Sequence, residues 1–131
     1  MNDDARQVAQ AIIDRIDDAW EHEGMVPPDA VTEDALYTNM AGRFFRGRSA
    51  IVEGTRLVKE TLKTRVTQRE LIEARKLSDG VILALVRATA WRPEGAARVE
   101  LPGYQLYLVV WDNDAWRVAA YQATRIAGTN S

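Results

Sequence analysis

The order of its sequence periodicities predicts that this chain folds as an α+β domain. Three observations carry the prediction. Residues Asn2 to Glu23 repeat apolar side chains at helical spacing. The stretch Asp34 to Gly54, DALYTNMAGRFFRGRSAIVEG, reads as a strand, a glycine-bracketed turn, a strand stub and a helix start. From Val66 onward there are four strand-like runs and no further helical pattern. Strands grouped after helices place those helices on one face of a curved antiparallel sheet, here three helices including a short one.

Each element follows from its residues. In the first helix Val8, Ala9, Ile12, Ile13, Ile16 and Trp20 share one stripe, while Asp14, Arg15, Asp17, Asp18 and Glu21 take the wet side. Asn2 and Asp3 are the expected caps, and Gly24 ends the helix. Pro27 and Pro28 leave room for only a short helical turn, with Val31 as its buried residue. On the first strand Ala35, Tyr37, Asn39 and Ala41 share one face, and Leu36, Thr38 and Met40 the other. Gly42 and Gly47 bracket a turn carrying Arg43 and Arg46. Ser49 is the expected cap of a helix Ala50 to Lys63, whose Ile51, Gly54, Leu57, Val58, Thr61 and Leu62 form a stripe. The four strands are expected at Val66 to Lys76, Val81 to Trp91, Arg98 to Trp111 and Ala115 to Ile126, with a bulge or bend at Pro102-Gly103. The tail, Ala127 to Ser131, is expected to fray.

Composition limits the function classes. At 131 residues, with 47% hydrophobic and 27% charged side chains, the chain is expected to form one globular domain, 1–131, with a core of its own. It contains no cysteine, which excludes disulfides, thiolate metal sites and a cysteine nucleophile. The acidic start MNDDARQ and the lack of a long apolar run predict a cytoplasmic protein that does not enter a membrane. Net charge is −2 but unevenly spread, with ten acidic and two basic residues from Met1 to Asp34, then ten basic and four acidic from Arg43 to Lys76. A basic face beside an acidic one argues against nucleic acid as a partner. Two solvated helix faces of opposite sign account for it most simply.

The chain resembles the nuclear transport factor 2-like superfamily, and within it the SnoaL-like proteins and their SgcJ/EcaC family. The residues that carry the resemblance are Trp20, Asp34-Ala35, Asn39, Gly42, Gly47-Arg48, Ala50-Ile51, the run Trp116 to Gln122, and Thr124-Arg125. The resemblance implies a cone-shaped fold enclosing a pocket, and a homodimer formed through the sheet. It also implies that Gln122 and Thr124 point into the cone from the last strand, across from Tyr107 and Gln105. Related members carry a His where this chain has Thr55, and Asn where it has Ala123.

The residues weigh against the chemistry of the catalytic relatives. The steroid isomerases of the superfamily place a catalytic Asp where this chain has Asn39, and a carboxamide cannot take a proton near neutral pH. Their helix tyrosine falls near Arg15 or Ile16 here. The cyclases use a His and an Asp, but the lone His22 sits at a helix end and reads as exposed. No dinucleotide glycine motif, metal cluster or cysteine pair supports an oxidoreductase, so no cofactor is expected. Catalytic residues are not identifiable from the sequence.

The candidate pocket residues are therefore Trp20, Tyr37, Asn39, Arg87, Tyr107, Gln122 and Thr124. A primary amide such as Gln122, amid an apolar strand, needs partners or costs ~1–3 kcal/mol, and a wet cavity would supply them. Arg87 interrupts VILALVRATAW, and strand parity leaves open whether it faces inward as a fixed cation or outward. Glu73 and Glu100 read as solvated strand residues rather than pocket bases. On the outer face Leu106, Leu108 and Val110, with Ala119, Tyr121 and Ala123 alongside, form an apolar patch suited to a twin. The expected role is to bind or act on a small hydrophobic metabolite, polyketide-like or polyene-like, without a cofactor. A non-catalytic carrier and a dimeric assembly module are the alternatives.

Overall fold

The structure is a computed structural model that describes residues 4–126. Helix α1 spans Ala5–Glu23 and a single 3-10 turn spans Pro28–Ala30. Strands β1 (Val31–Thr38) and β2 (Phe44–Arg46) precede helix α2 (Arg48–Leu62). Four long strands follow, β3 (Arg65–Ser78), β4 (Val81–Glu94), β5 (Ala97–Asp112) and β6 (Ala115–Arg125). They form one six-stranded sheet in the order β2-β1-β6-β5-β4-β3.

Two expectations about architecture change. Among the described residues there are two α-helices rather than three, because Pro27 and Pro28 confine the chain between α1 and β1 to one 3-10 turn. The sheet is mixed rather than antiparallel, since β1 runs parallel to β6. These two strands are distant in sequence, so no hairpin forces them to oppose one another.

Local chemistry fixes the ends. Asp4 caps α1, accepting a hydrogen bond from the Arg6 N–H at 2.8 Å, and Gly24 closes the helix at φ 72°. The expected caps Asn2 and Asp3, and the tail from Ala127, lie outside the described residues. Helix α2 begins earlier than expected, with Gly47 rather than Ser49 at its cap and no side-chain cap bond. Gly47 reaches φ 88° while its N–H donates to the Ala35 carbonyl at 2.7 Å, a turn that favours glycine. No register shift occurs between β4 and β5 at Pro102-Gly103. The bulge sits instead in β6, where Leu108 pairs with Ala120 but Val109 pairs with Val118, leaving Ala119 as the extra residue.

The core lies between α1 and the inner face of the sheet. Val8, Ala9, Ile12, Ile13 and Ile16 meet Leu71, Ile82, Ala84, Val86, Val109 and Val118. Helix α2 buries only Ile51 and Thr55, and Leu57 is exposed. Its remaining inward residues, Val58 and Leu62, face a cavity rather than packed core. No helix among the described residues is long and apolar enough to cross a membrane.

Candidate functional site

A cavity of about 290 Å³ opens between α1, α2 and the inner face of the sheet. Its walls are largely apolar, with Ile16, Trp20 and Val26 on one side, Val58 and Leu62 from α2, and Val66, Ala90 and Leu101 from the strands. The volume lies at the lower end of the ~300–1,000 Å³ typical of small-molecule sites. Exposed Ala41 and Arg125 with half-buried Met40 and Arg92 mark the solvent side, and buried Tyr37, Gln105 and Tyr107 the closed side.

Three phenols form the closed end. Tyr37 and Tyr121, paired across the parallel β1–β6 ladder, stack with centroids 4.1 Å apart. Tyr107, paired to Tyr121 on β5, meets it edge-on at 5.0 Å. Burial raises the pKa of all three above the usual phenol value, so they are neutral hydrogen-bonding groups. The Tyr107 hydroxyl donates to Gln105 Oε1 at 3.0 Å and accepts from Arg69 Nη1 at 3.4 Å.

Arg69 is the one buried cation among the described lining residues. It projects inward from β3, where it pairs with Ala88 on β4, and its side chain is only 10% exposed. Its Nε lies 3.4 Å from Asp17 Oδ1 on the flank of α1, yet both atoms are buried without a hydrogen bond. The pair is close but misaligned. Burial is the largest influence on Arg69 and opposes its charge, but Tyr107, Asp17, Tyr121 and Tyr37 together raise its pKa above the ordinary arginine value. Sequence reasoning missed Arg69. Only its alternation with Val66 and Leu71 across the bulged β3 could have pointed to it, and those bulges break the alternation.

The sequence-derived candidates divide. Trp20, Tyr37 and Tyr107 line the cavity, Trp20 with its Nε1 donating to the Thr64 carbonyl at 3.1 Å. Asn39 borders it too, but its Oδ1 accepts from the N–H groups of Ala41 (3.0 Å) and Arg43 (2.9 Å), so that oxygen holds the β1–β2 turn. Gln122 and Thr124 are exposed on the outer face, opposite to expectation. The bulge at Ala119 reverses the parity of the residues after it, because a single-residue slip exchanges the faces of a strand. The same slip brings Tyr121 and Ala123, assigned to the outer patch, into the cavity wall. Arg87 is exposed, its guanidinium carbon 5.5 Å from the Tyr104 ring centroid on the outer face. His22 is exposed and bonded to Asp18, as expected of a helix end. Glu73 and Glu100 pair on the surface with Arg75 and Arg98. Thr55, where relatives carry His, donates to the Ile51 carbonyl at 2.7 Å and accepts from the Val26 N–H at 3.3 Å.

No protein-family model matches the chain, and no curated protein matches it. Solved structures do. A domain of unknown function with a cystatin-like fold from Nostoc punctiforme superposes with a TM-score of 0.80 at 21% identity, covering 95% of this chain and 79% of that one. A ketosteroid isomerase-like protein from Erwinia carotovora atroseptica gives 0.78 at 16% identity, covering 97% and 99%. A nuclear transport factor 2-like protein with a cystatin-like fold from Novosphingobium aromaticivorans gives 0.73 at 13% identity, covering 96% and 84%. The fold is the cystatin-like, nuclear transport factor 2-like one. At these identities the likeness extends to the fold alone.

Proposed function

We propose that the protein binds a small, mostly apolar molecule in the cavity on the concave side of a cone-shaped domain. One observation carries this reading: apolar walls converge on a closed end where three neutral phenols and a carboxamide are held by the sheet. Such a division between an apolar body and a few fixed polar groups suits a hydrophobic ligand with an oxygen at one end. A polyketide-like or polyene-like metabolite fits that description, and the SnoaL-like and SgcJ/EcaC resemblance favours a role in secondary metabolism in the cytoplasm. The described wall includes no Asp, Glu or His, which favours binding, or catalysis by positioning and hydrogen bonding without a cofactor, over proton abstraction. Calorimetric titration with 1-decanol tests the reading. Binding that disappears in Ala123→Phe, with the circular dichroism unchanged, is the expected result. No heat in the wild-type chain refutes it.

The outer face supports a homodimer as a second part of the proposal. Leu36, Ala120, Leu108 and Leu83 form one row across it, and Leu106 and Leu85 stand in the next beside Gln122. Leu36 and Leu106 are each more than 40% exposed. Apolar residues ringed by Arg46, Arg75, Glu73 and Arg87 have the anatomy of an interface core with a polar rim. Val110 stands in a neighbouring row, between Val81 and Arg117, while Tyr121 takes no part in this face.

A further inference from the structure

We infer that the cavity selects an anion: an otherwise apolar molecule whose single carboxylate, or equivalent oxygen anion, lodges against Arg69 beside Tyr107. The inference rests on the pocket reading above and adds the charge of the ligand to it.

The charged part of the lining has one sign. Its charged members among the described residues are Arg69, Arg92 and Arg125, all cationic, within a chain whose net charge is −2. Arg92 is paired with Glu94 at 3.2 Å, and Arg69 is partly compensated by Asp17 at 3.4 Å, a carboxylate outside the lining, so the charge facing the cavity is positive and carried by Arg125 and Arg69. These two stand in the same row of the sheet, separated by Ala88 and by Gly103, against which the Met40 methyl packs.

Arg69 itself is under-bonded. A guanidinium offers five N–H donors in a planar fork. Here one contact, to the Tyr107 hydroxyl, is made at 3.4 Å, and Nε has no hydrogen bond despite burial. Asp17 lies near enough to lower the cost of burying the cation, but its Oδ1 is unbonded too. An arginine brought out of water at this cost and left with unused donors beside a cavity is suited to a bidentate carboxylate. Tyr107 would then turn its hydroxyl proton from Gln105 toward the anion or keep it as a relay, with both partners already in place. Asp17 competes for the same fork, so its charge weakens the site it helps to build.

Calorimetric titration of decanoate and of 1-decanol, at a pH where decanoate is ionised, tests this. In the wild-type chain decanoate is expected to bind about tenfold or more tightly than the alcohol. Asp17→Asn should strengthen decanoate binding several-fold and leave the alcohol unchanged. The double variant Asp17→Asn/Arg69→Met removes both charges together, so neither is stranded, and should bind the two compounds within about twofold of each other. Equal affinities in the wild type, or a carboxylate preference that survives the double variant, overturn the anion assignment while alcohol binding still supports the pocket. Failure of both compounds to bind the wild type refutes the pocket reading and this one with it.

Discussion

Tyr37 and Tyr121 stack face to face, with 17° between their rings, although 84 positions separate them in the chain. The parallel pairing of β1 with β6 sets them side by side, and it closes the sheet against α2. The stack and Tyr107 supply neutral polar groups at the end of the cavity where Arg69 supplies the charge. That arrangement has consequences for stability, for mutation and for ligand choice.

The first concerns pH. The folded phenols of Tyr37, Tyr107 and Tyr121 are held by burial above the ordinary value of 10. In the unfolded chain they would ionise near pH 10, so unfolding there releases protons. Their contribution to stability is complete below pH 10 and is lost as pH rises beyond it. With three phenols the slope reaches ~4 kcal/mol per pH unit. An ultraviolet absorbance titration should show these tyrosines ionising together with the loss of near-ultraviolet circular dichroism. Ionisation of all of them before unfolding would contradict the placement.

Gly54 tests the packing of the β2 hairpin on α2. A Cβ there would fall 2.3 Å from Cε1 of Phe45, a ring packed against the core. Alanine normally gains about 1 kcal/mol over glycine within a helix. Overpacking costs ~1–3 kcal/mol and should prevail. Gly54→Ala is therefore expected to lower the denaturation midpoint, and an increase would show that Phe45 has room to move.

Asn39 separates turn-holding from ligand contact. Asn39→Ala removes the acceptor for two N–H groups and should destabilise the chain by about 1–2 kcal/mol. Asn39→Asp keeps an oxygen in place and should be near neutral. If both variants lose 1-decanol binding while melting normally, the side chain serves the ligand rather than the turn.

Gln122 and Leu106 probe the outer face. Gln122→Leu is expected to leave ligand binding unchanged, because the side chain stands outside the cavity. Leu106→Glu should yield a monomer by sedimentation at micromolar concentration if the outer face joins two copies. A wild-type chain that already sediments as a monomer would remove the dimer from the account.

Much of the fold was legible because its signals are local. The stripe from Val8 to Ile16, the glycines around β2 and the turns at Ser78-Asp79-Gly80 and Asp112-Asn113-Asp114 each fix their own neighbourhood. The site was legible only where it rests on such signals, as at Tyr37 and Trp20. Gln122, Thr124 and Tyr121 were assigned to the wrong faces because one extra residue, Ala119, reverses parity, and the bulge arises from pairing with β5 rather than from its own type. Arg69 was invisible for a related reason. Its neighbours Glu70, Glu73 and Arg75 are charged, so nothing local distinguishes the one cation that α1 covers.

Amide chemical-shift mapping of the wild-type chain titrated with decanoate tests the central claim most directly. Shifts concentrated at Tyr37, Arg69, Tyr107 and Tyr121 on the inner face are the predicted result. Shifts confined to Leu83, Leu106 and Leu108 on the outer face, or none at saturating decanoate, would contradict it.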